Sequence, residues 1–282
     1  MYNIRCDLHT HTICSVGGTS TVEDNIEAAK AKGLELIAVT DHFSSLAVNA
    51  DKELGAEEVL GDTTARQEDS IIILRGAEVD IASPEGYLFG IGLPGKPMKT
   101  GDICKPPYSG VGNTPETGDF GDPFSGQEDL FQRAGGMLDF IIASVSKKLI
   151  VFDMIKTQAT DAIIKAIGDP RVLMPGHLGR FNLPIDFREI VKTAKALNKP
   201  IEINELDYKA GGDTAGRYME IALICAEEGC HICVNSDAYS AGDIGSFNNV
   251  EAILRAIQFP EELIINRDST GFMEYYQRAG FR

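Results

Sequence analysis

Short apolar runs of strand length recur along this chain, and most of them are followed by a stretch with helical spacing. Tyr2 to Leu8, Leu34 to Val39, Ile71–Leu74 continuing through Ala77–Ile81, Leu138 to Val145, Val172 to Met174, Pro200 to Asn204 and Cys230 to Val234 predict seven strands. Between and after them, Val22/Ile26/Ala29, Ala159/Ile163/Ala166, Phe187/Ile190/Val191/Ala194/Leu197, Tyr218/Ile221/Ala222/Cys225 and Val250/Ile253/Leu254/Ile257 recur at helical intervals. Ser20-Thr21-Val22-Glu23 has the pattern of a capping box. Gly33, Gly168, Pro170 and Gly229 read as helix stops. Strands alternating with helices predict an α/β fold built on a parallel sheet. Seven units rather than eight predict a barrel that is irregular or incompletely closed.

Residues 48–68 read as helical or irregular, and the tail beyond Ile257 has no firm assignment. The stretch from Gly92 to Gln127 is rich in proline and glycine and lacks apolar periodicity. It reads as an insertion, either a lid over a site or a mobile loop without function. No repeat and no domain boundary interrupts residues 1–282, which read as a single domain.

Composition narrows the class. At 43% hydrophobic and 24% charged residues, the 282-residue chain is ordinary for a soluble globular protein. No apolar run approaches the ~18 residues of a membrane span. No basic-then-apolar leader precedes Asp7 and His9. The expectation is a cytoplasmic protein without membrane contact, with a homo-oligomer left open. Six scattered cysteines do not resemble a disulfide framework. Cys230-His231-Ile232-Cys233 lies in an apolar run, so buried strand cysteines and a core or hydrogen-bonded His231 are favoured over a zinc knuckle. The formal net charge of −16 argues against a nucleic-acid-binding surface. An anionic substrate would require bound cations that reverse the local field.

Candidate chemistry sits at the strand ends. His9 and His11 share one face of an extended segment, as two ligands of one cation require. Asp7 beside them is suited to holding an imidazole N–H or a neighbouring backbone group. His42 closes the second strand, Glu78 lies in the third, His177 follows the fifth and Asp237 follows the seventh. Four of the five histidines belong to this set, a placement that chance explains poorly and a metal site explains well.

Asp-Leu-His-Thr-His-Thr, Thr-Asp-His, Gly-Ala-Glu-Val-Asp, Pro-Gly-His and Asn-Ser-Asp-Ala, in this order over residues 7 to 238, resemble the motifs of the PHP (polymerase and histidinol phosphatase) family. The resemblance implies a distorted seven-stranded β/α barrel, TIM-barrel-like, that holds up to three zinc, manganese or iron ions at the strand C-terminal ends. It implies metal-dependent phosphoester hydrolysis, as in histidinol-phosphate phosphatases. His9, His11, Glu78 and Asp237 would serve the first metal position and also the catalysis. The second would use Glu78 as a bridge together with His177, and the third would use His42. Three positions where the family has histidines hold Gly17, Ser146 and Tyr239 instead. One or two ions are therefore expected rather than three.

Two readings follow for function. In the first, the chain hydrolyses a small phosphorylated substrate, with Arg180, Tyr239 and Lys147 (or its neighbour Lys148) as candidate phosphate-binding groups. In the second, it is a degenerate member that binds metal or ligand without turnover.

Overall fold

A computed structural model describes residues 2–43, 66–68, 71–89, 138–150 and 152–281. The Gly92–Gln127 insertion, residues 48–65 and the side chain of Lys148 lie outside the described residues. In chain order the elements are β1 (Cys6–Thr10), α1 (Val22–Ala31), β2 (Leu36–Val39), β3 (Arg66–Glu68), β4 (Ile71–Asp80) and β5 (Phe140–Ser144). They continue with α2 (Lys147–Ile150), α3 (Lys156–Ile167), β6 (Val172–Gly176), α4 (Phe187–Ala196), β7 (Ile201–Asn204) and α5 (Glu205–Lys209). The last are α6 (Gly212–Glu228), β8 (Ile232–Asn235), α7 (Asn248–Ala256) and α8 (Ser269–Arg278).

The architecture is α/β, a curled parallel half-barrel. Strands pair in the order β1-β2-β4-β5-β6, all parallel, while β7 and β8 form a second parallel pair. The short β3 runs antiparallel along β4, which replaces the irregular reading at its position with a strand. The third predicted strand is one continuous ten-residue strand, β4. It passes through Gly76, where a Cβ would lie 2.8 Å from Thr40 and 3.0 Å from Phe140. The close approach of three strands selects glycine there.

Capping decides where α1 begins. The reciprocal pair is Thr21 and Asp24, one residue beyond the pattern read from sequence. The tail, unassigned from sequence, contains α8, capped by Asp268. Phe272, Tyr275 and Tyr276 of α8 join Leu8, Leu36, Leu74, Phe140, Ile142 and Met174 in one buried cluster. Tyr276 donates to the Asp139 carbonyl and Tyr275 to the Asn198 carbonyl, each at 2.6 Å, at the entries to β5 and β7. The helix thus plugs the end of the sheet opposite to the predicted site. The remaining apolar residues, including Ile37, Ile141, Ile163, Val191 and Ile221, pack between strands and helices as a larger cluster. His231 lies just before β8, half-buried and edge-on to Tyr275.

Side chains join β8 to β1. The buried Asn266 donates to the carbonyls of Cys6 and Val234, each at 2.7 Å, and accepts from the Val234 N–H at 3.1 Å. Further along, the Leu8 N–H donates to Asn235 Oδ1 at 3.2 Å and the Ser236 N–H to Asp7 Oδ1 at 3.1 Å. Asp7 therefore holds backbone groups rather than an imidazole. Because Asn266→Ala leaves buried backbone groups without partners, we predict a loss of about 2–4 kcal/mol. Urea unfolding followed by circular dichroism reads this as a lowered midpoint at unchanged slope.

Candidate metal centre

The strands converge on a buried pocket of histidines and carboxylates. His9 lies near the end of β1 and His11 just beyond it, and His42 follows β2 and bridges to Glu78 of β4 in parallel register. His177 and Asp237 follow β6 and β8 in left-handed backbone conformations, with φ of 60° and 53°. Non-glycine residues adopt this region reluctantly, with His, Asp and Asn the most tolerant. The turn directs both side chains back over the strand ends.

Four donor atoms meet at one point. His9 Nε2 lies 3.4 Å from Glu78 Oε2 and 3.5 Å from Asp237 Oδ1. His11 Nε2 lies 3.5 Å and 3.0 Å from the same two oxygens. Ligands at ~2.1 Å around a tetrahedral ion stand about 3.4 Å apart, so the spacing suits one divalent cation. Next to it, His177 Nε2 lies 3.0 Å from Glu78 Oε1 and 3.8 Å from Asp237 Oδ2. This buried nitrogen has no aligned hydrogen-bond partner among the described residues, as expected of a lone pair aimed at an ion. The nitrogen and oxygen donors, without cysteine, fit Zn, Mn or Fe.

The opposite nitrogens of two histidines are held by carboxylates. His9 Nδ1 donates to Glu202 Oε1 at 2.6 Å and His177 Nδ1 to Asp207 Oδ2 at 2.8 Å. Such pairs fix the tautomer and leave Nε2 free as the ligand atom. Glu202 is steadied by Asn235 at 2.9 Å, Asn204 at 3.3 Å and the His177 N–H at 3.1 Å. Asp207 also accepts from Tyr218 at 2.6 Å and from Arg180 Nε. Ser144 donates to Glu78 Oε1 at 2.5 Å. These outer residues were not singled out in the sequence. Glu202 and Asn204 carried a signal, since they alternate with Ile201 and Ile203 along an otherwise apolar strand. Asp207 carried none.

Electrostatics follow from this packing. Burial alone would raise Asp237, Glu78 and Glu202, but neighbouring imidazoles hold all three carboxyls below their ordinary range. Burial lowers His11. It opposes protonation of His177 too, yet Asp207 beside it pushes that imidazole up to about 10. Burial, then Asp237 and Glu78, raises the Tyr239 phenol and keeps it a donor.

The structure gathers His9, His11, His42, Glu78, His177, Asp237, Arg180 and Tyr239 in one site. Arg180 spends Nε on Asp207 and Nη2 on Asp237 at 3.0 Å, so only its outer edge is open to an anion. Tyr239 stacks on His11 with centroids 4.3 Å apart and hydrogen-bonds His42. Gly17 lies against Tyr239: a Cβ on this glycine, at φ +93°, would sit 3.5 Å from the ring. Ser146 follows β5. Lys147 is exposed at the start of α2, with no described hydrogen bond or ion pair to the site.

From the four-donor geometry we predict about one or more transition-metal ions per chain in protein purified without chelator, by elemental analysis. His9→Ala with His11→Ala should abolish this content. Glu202→Gln should keep the stoichiometry and weaken affinity about 10–100-fold in chelator competition.

A probable phosphatase of Caldicellulosiruptor saccharolyticus is 28% identical over 98% of both chains. One of Photobacterium profundum is 29% identical over 97% of this chain and 94% of its own. The solved histidinol phosphate phosphatase of Lactococcus lactis subsp. lactis, in complex with zinc, L-histidinol and phosphate, aligns with 99% of this chain and 94% of its own. It does so at 17% identity and a TM-score of 0.48. The PHP domain model matches residues 7–210, most of the chain and all of the strand-end motifs except the last, and the chain belongs to the PHP domain family.

Proposed function

We propose that this chain is a metal-dependent phosphoesterase, acting on small phosphomonoesters in the manner of a histidinol phosphatase. The observation that carries the reading is the convergence of His9 Nε2, His11 Nε2, Glu78 Oε2 and Asp237 Oδ1 at 3.0–3.5 Å. The names of the full-length relatives support the reaction class. In this reading His9, His11, Glu78 and Asp237 form the first metal position, and Glu78 with His177 contributes to a second. When bound, a divalent ion supplies a Lewis acid that lowers the pKa of water and neutralises phosphoryl oxygens.

The chain's own residues do the rest. Glu202 and Asp207 orient His9 and His177, while Ser144 steadies Glu78. The outer edge of Arg180 and the Tyr239 hydroxyl face the anion, with Lys147 adding positive charge at the rim. Taken together, the two parallel sheets form one distorted seven-stranded barrel in a single domain. The His11 N–H to Ala238 carbonyl bond at 2.8 Å supports that closure.

Assays with Zn²⁺, Mn²⁺ or Fe²⁺ should give metal-dependent turnover of phosphomonoesters. Asp237→Asn should remove more than about 100-fold of the activity while leaving the circular dichroism spectrum unchanged. If a broad panel of phosphomonoesters gives no turnover with any of these metals, the chain is a binding module instead. Ser146→His should tighten the second position, read as a rise in anomalous scattering beside His177.

A further inference from the structure

Beside the cluster of donors, one cation is spent on the main chain. Arg217 of α6 is half-buried, and its Nε donates to the Gly179 carbonyl at 2.8 Å. Its Nη2 donates to the Arg180 carbonyl at 3.3 Å and to Thr214 Oγ1, one helical turn earlier, at 3.0 Å. None of these partners is a carboxylate, although the chain carries 42 acidic residues. The rigid fork of a guanidinium suits it to gripping two successive carbonyls at once.

The segment it holds is the turn His177-Leu178-Gly179-Arg180, closed by the Arg180 N–H to the His177 carbonyl at 3.1 Å. The next residue of α6, the fully buried Tyr218, lies against the same turn. A Cβ on Gly179 would sit 2.7 Å from its ring. The Tyr218 hydroxyl donates to Asp207 Oδ2 at 2.6 Å, and Asp207 receives both His177 Nδ1 and Arg180 Nε. Two neighbouring residues of one helix therefore hold this turn, Arg217 by its main chain and Tyr218, through Asp207, by its side chains.

Arg180 depends on the first of these holds. Asp207 and Asp237 grip its guanidinium on two edges and draw it toward the carboxylates. Where the remaining edge faces is then set by where the side chain starts, at the main chain that Arg217 anchors. Resting on the phosphoesterase reading above, we infer that Arg217 is a positioning residue for substrate phosphate. By fixing the Gly179–Arg180 backbone it keeps the outer edge of Arg180 turned to the anion. Arg217 touches no candidate metal ligand in the described hydrogen bonds. Its loss should therefore weaken phosphate binding in ground and transition states alike, raising KM at nearly unchanged kcat.

The experiment titrates inorganic phosphate calorimetrically into the Mn²⁺-loaded full-length parent, Arg180→Ala, Arg217→Met, Arg217→Lys and Thr214→Ala. KM and kcat are measured with p-nitrophenyl phosphate, and metal content by elemental analysis. Arg217→Met should bind phosphate about 5–20-fold more weakly and raise KM to match, with kcat within about 2-fold and metal content unchanged. Arg217→Lys, which keeps the charge and a donor for the carbonyls, should recover most of the affinity. Parent-like phosphate affinity in Arg217→Met, with Arg180→Ala weakened, would overturn the inference and leave the phosphoesterase reading intact. So would a loss of kcat or of metal in Arg217→Met, since the role would then be merely structural. Should Arg217→Met fail to fold, Thr214→Ala decides: it removes only the hydroxyl that steadies Arg217, and about 2–4-fold weaker phosphate binding is expected, with no change overturning the inference. A parent that binds no phosphate would overturn the phosphoesterase reading and this inference with it.

Discussion

Buried negative charge is the constraint on which the rest of this molecule depends. Glu78, Glu202, Asp207 and Asp237 lie at or near zero exposure at one end of the sheet, with Arg180 as the one guanidinium paired to them among the described residues. Ionised carboxylates out of water are tolerated only when paired, hydrogen-bonded or bound to a cation. Each is surrounded by imidazole, amide, hydroxyl or backbone N–H groups. A single guanidinium does not balance four carboxylates. The remaining charge must come from protonated histidines or from a divalent ion, and His177 Nε2, 3.0 Å from Glu78 Oε1, is placed to serve either.

The strain in the backbone belongs to the same arrangement. His177 directly after β6 and Asp237 two residues after β8 turn into the left-handed region. A strand that continued straight would carry its next side chain away from the axis, whereas the turn folds it inward to meet Glu78. Gly176, just before His177, leaves room for the turn: a Cβ there would sit 2.6 Å from Ile142 and 3.2 Å from Glu202. Strain at such positions persists only where the surroundings over-determine it. Here His177 is held through Nδ1 by Asp207 and through its backbone N–H by Glu202.

Much of this was legible in the sequence, for identifiable reasons. All seven parallel strands were readable because they are apolar runs bounded by glycine, proline or a helical period. The six ligand-type residues were readable because histidines are few and recur at strand ends. What stayed hidden depends on three-dimensional neighbours. Asp207 sits in a five-residue helix with no periodic signal, and only the fold brings it to His177. The capping pair moved by one residue because Thr21 with Asp24 satisfies the same rule as Ser20 with Glu23, and packing chose between them. Phe272, Tyr275 and Tyr276 have the spacing of an apolar helix face, but the polar residues around them dilute the pattern and leave the tail unassigned from sequence.

The joins between strands and the metal centre share side chains, and this shapes what variation the fold tolerates. Glu202 orients His9 and also receives the His177 N–H, spanning β6 and β7 where no strand ladder joins them. Asn235 supports Glu202 and accepts the Leu8 N–H across from β1. A regular barrel would meet these backbone groups with backbone partners and leave the site free to vary. In this chain the same carboxylate and amide serve both, so a change that spoils ion binding also leaves strand edges unsatisfied.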